Sequence, residues 1–294
     1  MRLRNGGEMV MKETLIEVRD LTKTFHSDKG TTKAIDRISF DLYKGETLGV
    51  AGESGCGKTT LGRCLVNLES HDSGTIISRA GGSQIIFQDP YNSVDPYWTI
   101  ERIVAEGLKD RKEAITLLEK VGLSRNEKDS YPHELSGGQL QRVGIARALS
   151  TNPDFIVCDE PVSALDVSYQ SKIISLLEDL QEEEGLTYLF ISHDLAVVRH
   201  IADRIMIMYG GQIMEIGNTD EIINSPLHPY TKFLLSAVPA PFEKKKEFQV
   251  LDDDTVSQGC PFAPRCPFRT ERCFRERCER QDKGNGHLVY CHNS

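Results

Sequence analysis

One run of residues limits this chain more than any other: Gly52-Glu53-Ser54-Gly55-Cys56-Gly57-Lys58-Thr59, placed between the apolar stretch Thr47–Ala51 and a helix-like stretch from Lys58 to Leu68. It fits Gly-x-x-x-x-Gly-Lys-[Ser/Thr], in which glycines let the backbone wrap an anion with its N–H groups pointing inward. The helix start after it adds unpaired donors and the favourable dipole end for phosphate. In such a loop Lys58 reaches the β- and γ-phosphates, while Thr59, followed by Thr60, holds Mg²⁺. The motif therefore demands a strand–loop–helix unit. Apolar runs alternating with helical patterns along the chain predict an α/β domain with a mainly parallel sheet.

Five further elements come in order. Gln88 closes Gln84-Ile-Ile-Phe-Gln88, and Leu135-Ser136-Gly137-Gly138-Gln139 opens an apolar-periodic helix. That second run is again a helix N-terminus offering N–H groups to an anion. Asp154-Phe-Ile-Val-Cys-Asp159-Glu160 reads as a buried strand ending in two carboxylates, Asp166 lies just beyond it, and His193 closes Thr187-Tyr-Leu-Phe-Ile-Ser-His193. Singly, Gln88 and His193 are ordinary strand-end polar residues, Asp159-Glu160 fits a surface acidic pair, and Phe25 fits a core position. Their order distinguishes them.

That order resembles the ATP-binding cassette (ABC) ATPases. The resemblance implies a P-loop NTPase with a RecA-like core, an antiparallel β subdomain and a helical subdomain carrying Leu-Ser-Gly-Gly-Gln. It implies that Gly52 to Thr60 and the ring of Phe25 bind ATP, and that Thr59, Gln88 and Asp159 serve Mg²⁺. Glu160 would polarise the attacking water, with Gln88 and His193 beside the γ-phosphate. Ser136, Gly137, Gly138, Gln139 and Asp166 would complete the site of a partner subunit.

Three stretches narrow the resemblance. Phe87-Gln-Asp-Pro-Tyr-Asn-Ser-Val-Asp-Pro96, Asp159-Glu-Pro-Val-Ser-Ala-Leu-Asp-Val-Ser168 and His228-Pro-Tyr-Thr-Lys-Phe-Leu-Leu-Ser-Ala-Val-Pro239 are similar to runs in the ATPase subunits of oligopeptide, dipeptide and nickel importers. This implies a motor on the cytoplasmic face of the membrane, pairing with a second ABC ATPase as a heterodimer. It would dock on two permeases, served indirectly by an extracytoplasmic solute-binding protein. Peptide is the family cargo, nickel complexes a related one. The expected division is a loose tail at 1–13, an ATPase domain at 14–240 with its helical subdomain at about 99–150, and a Cys-rich extension at 241–294. Segments 72–88 and 99–130 look short for the family. Residues beyond Gln88, through Tyr97 and Trp98, are where a permease helix would press.

Composition excludes several alternatives. No apolar run approaches the ~20 residues of a membrane helix, and Met1-Arg-Leu-Arg-Asn-Gly-Gly-Glu8 lacks the apolar centre of a signal peptide. A motor of this kind would borrow its membrane helices from other chains. The formal net charge of -9 argues against nucleic acid as a partner. The rival reading, a soluble non-transport ABC ATPase whose tail binds metal and RNA or a regulator, is weakened by the same charge.

Of eight cysteines, five fall at Cys260, Cys266, Cys273, Cys278 and Cys291. Cys56, Cys64 and Cys158 suit small buried positions. The tail is rich in Arg and Pro and short of aliphatic residues, which makes packing alone a poor account and points to a metal. Its spacings lack the Cys-x2-Cys pairs usual at structural zinc. Cys260, Cys266, Cys273 and Cys291 match the dipeptide-type ATPase tail, which implies a [4Fe–4S] cluster, with Zn²⁺ as the alternative. Cys278 departs from that pattern and stands as a spare thiol or alternative ligand.

Overall fold

Alternating apolar residues write the first two strands of the chain's computed structural model, in which residues 13–28, 30–237 and 258–294 are described. In β1 (Thr14–Ser27) and β2 (Gly30–Tyr43), Ile16, Val18, Ile38, Phe40 and Leu42 all face inward. A register shift between Val18 and Leu21 keeps Leu21 on the core side despite its odd spacing. The pair is antiparallel, and with β4 (Ser73–Ser78) it makes a three-stranded sheet ordered β2-β1-β4.

The larger sheet starts from β3 (Thr47–Ala51), buried at every residue, after which the glycine-rich turn leads into α1 (Lys58–Leu65). This helix stops short of the expected Leu68. Asn67, just past its end, adopts the left-handed conformation at φ 58°, which a helix cannot contain. Strands β5 (Ser83–Ile86), β6 (Phe155–Asp159), β7 (Thr187–Ile191), β8 (Arg204–Tyr209) and β9 (Gln212–Asn218) complete the core of this sheet. Five strands, β5-β6-β7-β3-β8, run parallel; β9 joins antiparallel beside β8. Continuous apolar runs such as Tyr188–Ile191 suit strands covered on both faces.

Between β5 and β6 lie α2 (Ile100–Val104), α3 (Lys112–Lys120) and α4 (Gly137–Leu149). They pack through Ile103, Leu118, Leu140 and Val143. α5 (Val167–Glu184) and α6 (Leu195–Ile201) flank the sheet; α7 (Thr219–Asn224) and α8 (Pro229–Ala237) come after β9. Among the described residues no helix is long and apolar enough to cross a membrane.

The C-terminal part departs from expectation. Residues 238–257, the start of the proposed extension and the end of the linker run, lie outside the described residues, as do residues 1–12 of the proposed tail. Residues 258–294 form no distinct appendage. After the short α9 (Glu271–Arg275), strands β10 (Gln281–Asp282) and β11 (Leu288–Val289) continue the main sheet, β11 pairing antiparallel with β9. Two short strands thus cover an edge that β9 would otherwise leave open. A buried acidic side chain fixes the join. Glu215, fully buried on β9, accepts the N–H of Leu227 at 2.8 Å and of His228 at 2.9 Å, and its Oε1 lies 2.7 Å from His287 Nε2.

Candidate nucleotide-binding site

The glycine-rich turn is held tightly between neighbouring strands. At Gly52 an added Cβ would fall 2.1 Å from the Met208 carbonyl; at Gly57, with φ 104°, it would fall 2.0 Å from that of Ala34. No larger residue fits either place. Lys58 is buried, its Nζ donating to the carbonyls of Gly52 (2.8 Å) and Glu53 (2.9 Å). Cys56, whose thiol burial pushes up in pKa, lies 3.8 Å from the same ammonium. Thr59 Oγ1 donates to Asp159 Oδ1 at 3.0 Å, joining the first turn of α1 to the end of β6. Burial raises the Asp159 pKa, and the Thr59 hydrogen bond opposes that rise. Hydroxyl and carboxylate oxygens facing one another in this way suit a hard cation such as Mg²⁺.

A cleft of about 540 Å³ opens beside the turn. Phe25, Thr32 and Ala34 line it from β1 and β2; Ser54, Gly55, Gly57, Lys58, Thr59 and Thr60 line it from the turn and helix; Gln88, Glu160 and His193 line it from strand ends. Its size is ordinary for a small-molecule site. Phe25, weighed above as a core residue, is 42% exposed, with Lys23 Nζ 5.1 Å from its ring centre. Glu160 adopts φ 47°, a conformation that costs a non-glycine residue about 1–3 kcal/mol and recurs at functional sites. Its N–H is held by the Ile191 carbonyl at 3.0 Å. Its Oε2 accepts from Gln88 Nε2 at 3.1 Å and lies 3.1 Å from His193 Nδ1. Two residues far apart in sequence thus share one carboxylate oxygen.

Other expected residues do not line this cleft. Gly52 and Cys56 are not among its lining residues, Glu53 is engaged by Arg265 and Tyr230, and Asp159 reaches the site only through Thr59. Ser136 to Gln139 and Asp166 also lie off it. Ser136 caps α4, accepting the Gln139 N–H at 3.4 Å, while Gln139 Oε1 takes the Ser136 N–H at 3.0 Å. Gly138 approaches Tyr169 so closely that a Cβ would fall 2.6 Å from the ring. Asp166 caps α5 through the Tyr169 N–H at 3.1 Å. A second groove, about 480 Å³, runs between sheet and helical subdomain and includes Leu68, Phe87, Glu106 and Arg147. Nearby, Tyr97 is 86% exposed, whereas Trp98 is half-buried beneath Arg102, 4.0 Å from its ring centre.

All five C-terminal cysteines are buried. Cys278 sits beside Cys260, whose thiol hydrogen-bonds to it and lowers the Cys278 pKa to about 7 while the Cys260 pKa rises. Burial also raises the thiol pKa of Cys266 and of Cys291, both of which lie near Cys273. Among the described residues, no three Cys, His, Asp or Glu side chains are grouped to hold a metal ion.

Arg265, Tyr230, Glu215 and His287 belong to no motif of their own in the sequence. A signal was present for Tyr230, in the aromatic His228-Pro-Tyr-Thr stretch; for Glu215 and His287 only pairing across the sheet brings them together.

Strand order and the convergence of turn, Asp159, Glu160 and His193 define the ATPase core of the ATP-binding cassette class. Residues 35–163 match the ABC transporter family, and residues 214–273 match the family described as Oligopeptide/dipeptide transporter, C-terminal region. The chain is 47% identical over 271 residues to the oligopeptide transport ATP-binding protein OppF of Bacillus subtilis, covering 82% of this chain and 89% of that one. It is 43% identical over 321 residues to AppF of the same organism, an oligopeptide transport ATP-binding protein, covering 96% and 98%. That alignment exceeds the 294 residues of this chain, so the relative carries residues with no counterpart here. Among solved structures, a dimeric post-hydrolysis ATP-binding cassette, MJ0796 bound to ADP and Pi, superposes with TM-score 0.61 at 28% identity, covering 69% of this chain and 98% of that one. The chain belongs to the ATP-binding subunits of oligopeptide-type ABC transporters.

Proposed function

We propose that this subunit hydrolyses ATP in the cleft beside Gly52–Thr60 and that closure on a partner drives peptide import. The observation that carries this is the strained Glu160, its carboxylate fixed between Gln88 and His193 at the rim of the cleft holding Lys58 and Thr59. Lys58 supplies positive charge to the β- and γ-phosphates, and Phe25 stacks on the base. Thr59 and Asp159, with Gln88, hold Mg²⁺, which when bound neutralises phosphate charge. Glu160 orients the attacking water and takes its proton; His193 contacts the γ-phosphate. The transition state needs charge complementarity and positioning more than covalent help.

Ser136, Gly137, Gly138, Gln139 and Asp166 lie off this cleft, which supports their serving the nucleotide of a second ABC ATPase in a heterodimer. Two permeases would dock at the groove around Phe87 and Arg147 and at Tyr97, with an extracytoplasmic binding protein delivering cargo. The working location is the cytoplasmic face of the membrane. For the C-terminal thiols, we infer a [4Fe–4S] cluster held by Cys260, Cys266, Cys273 and Cys291. Support comes from the soft donor set, its burial, and the fact that each cysteine of a cubane takes a different iron rather than converging on one ion.

Glu160→Gln tests the central assignment. In the assembled transporter it should retain ATP binding, trap the closed ATPase dimer and reduce turnover by about 10²–10⁴-fold, the range for loss of a positioned base. Turnover at the wild-type rate would remove Glu160 from the mechanism.

A further inference from the structure

The phosphate-binding turn carries an acid at its second position, Glu53, where the ligand is a polyanion. Its carboxylate meets Arg265 from the far end of the chain: Nη1 donates to Oε1 at 3.0 Å and to Oε2 at 2.8 Å. The Glu53 N–H donates to Tyr230 Oη at 2.9 Å, so the turn is gripped at main chain and side chain together. Arg265 is in turn locked in place. It donates to Tyr209 Oη at 3.1 Å, and its guanidinium lies 5.2 to 5.8 Å from the ring centres of Phe233, Tyr209 and Phe262. At 15% side-chain exposure it is largely withdrawn from water, while Glu53 remains 37% exposed. Pro261, a little earlier in the chain, packs on Gly210 so closely that a Cβ there would fall 2.8 Å away.

A clamp of purely mechanical kind needs no charge. Here a full positive charge has been brought from the C-terminal segment to one carboxylate in an anion-binding turn. Left unpaired, that carboxylate would repel the triphosphate. It would also compete for the Lys58 ammonium, which already sits 2.9 Å from the Glu53 carbonyl. We propose that Arg265 is a positioning residue for nucleotide binding: it cancels the Glu53 charge, which makes the C-terminal segment a working part of the ATP site. The proposal rests on the ATP-binding reading above.

The test is a double-mutant cycle on the full chain, with Mg-ATP binding measured by calorimetry at low and high salt. Arg265→Gln should weaken binding roughly tenfold, a loss that shrinks at high salt. Glu53→Gln, which frees the Arg265 charge, should tighten binding about twofold to threefold. Glu53→Gln combined with Arg265→Gln should recover most of the Arg265→Gln loss, because the repulsive charge has gone too. Arg265→Lys should bind nearly as the parent does. A double variant as weak as Arg265→Gln, or an Arg265→Gln variant that binds like the parent, overturns the proposal. Should Arg265→Gln not fold, roughly tenfold weaker binding by Arg265→Lys in a chain of unchanged melting temperature overturns it equally. A wild-type chain that binds no Mg-ATP would instead defeat the underlying ATP reading.

Discussion

The nucleotide cleft and the C-terminal cysteine segment are built on opposite plans. In the cleft, contacts come chiefly from one short turn and from residues at the ends of parallel strands, so main-chain geometry does most of the positioning. The C-terminal segment has little regular structure of its own and is held by long-range side-chain contacts: Glu215 with His287, Asp36 with Arg277 at 2.7 Å, and Glu53 with Arg265. A site made by a turn survives on local chemistry. A segment made by remote ion pairs depends on the domain beneath it, and here it also reaches back to that domain's phosphate turn.

The sharpest way to separate the two is to remove a thiol. Cys266→Ser in anaerobically purified chain should abolish about four irons and four sulfides per chain together with the visible absorption of the cluster. Wild-type protein with neither iron nor sulfide would end the cluster assignment while leaving the ATP cleft untouched. Cys278→Ser should retain both, since the assigned ligands are the other four; loss of iron there would move Cys278, already beside Cys260, into the ligand set.

Next in size is the buried pair that joins segment to sheet. His287→Ala leaves the fully buried Glu215 side chain with two backbone donors and without its imidazole partner, and losing a partner from a buried polar group costs about 1–3 kcal/mol. Urea unfolding should show that loss, with β11 amides exchanging fastest. An unchanged midpoint would mean the segment is held by backbone pairing alone.

A pH effect of smaller size comes from His228. Burial lowers its pKa to about 3, and its Nδ1 accepts the Tyr230 N–H at 3.0 Å, so the folded chain keeps it neutral. The unfolded chain takes up that proton below its ordinary value near 6.5. Between pH 6.5 and about 3 the unfolded state therefore binds more protons, and stability falls with falling pH by up to about 1.4 kcal/mol per unit from this group. His228→Asn, which keeps an acceptor and cannot be protonated, should flatten the slope between about pH 6 and 5. An equal slope in both proteins would assign it to carboxylates instead.

These contrasts also mark what could be read in the sequence. Gly52–Thr59, Gln88, Asp159, Glu160 and His193 were legible because each is a residue type required at a strand end or turn; Ser54, Gly55, Gly57 to Thr59, Gln88, Glu160 and His193 line one cleft, and Asp159 meets Thr59 beside it. The strained φ of Glu160 was not, since strain depends on the Ile191 carbonyl that receives its N–H. Nor was the destination of the C-terminal strands. Leu288-Val289 is too short to carry a periodic signal, and only the open edge of β9 gives it a partner. Arg265 looks in sequence like one of several tail arginines; the rings of Tyr209 and Phe233 from distant segments, together with neighbouring Phe262, select it.

The smallest expected effect distinguishes two adjacent aromatic residues. Trp98 is half-buried and stacked by Arg102, so Trp98→Ala should cost more than about 1 kcal/mol through lost packing and cation–π contact. Tyr97 is 86% exposed, so Tyr97→Ala should change stability by no more than about 0.5 kcal/mol. A ring left in water by its own chain has no folding role to lose. If it is kept for a permease, Tyr97→Ala should lower the ATPase stimulation seen on assembly with the permeases while the unstimulated rate holds. Equal stimulation in variant and parent would confine docking to the groove around Phe87 and Arg147.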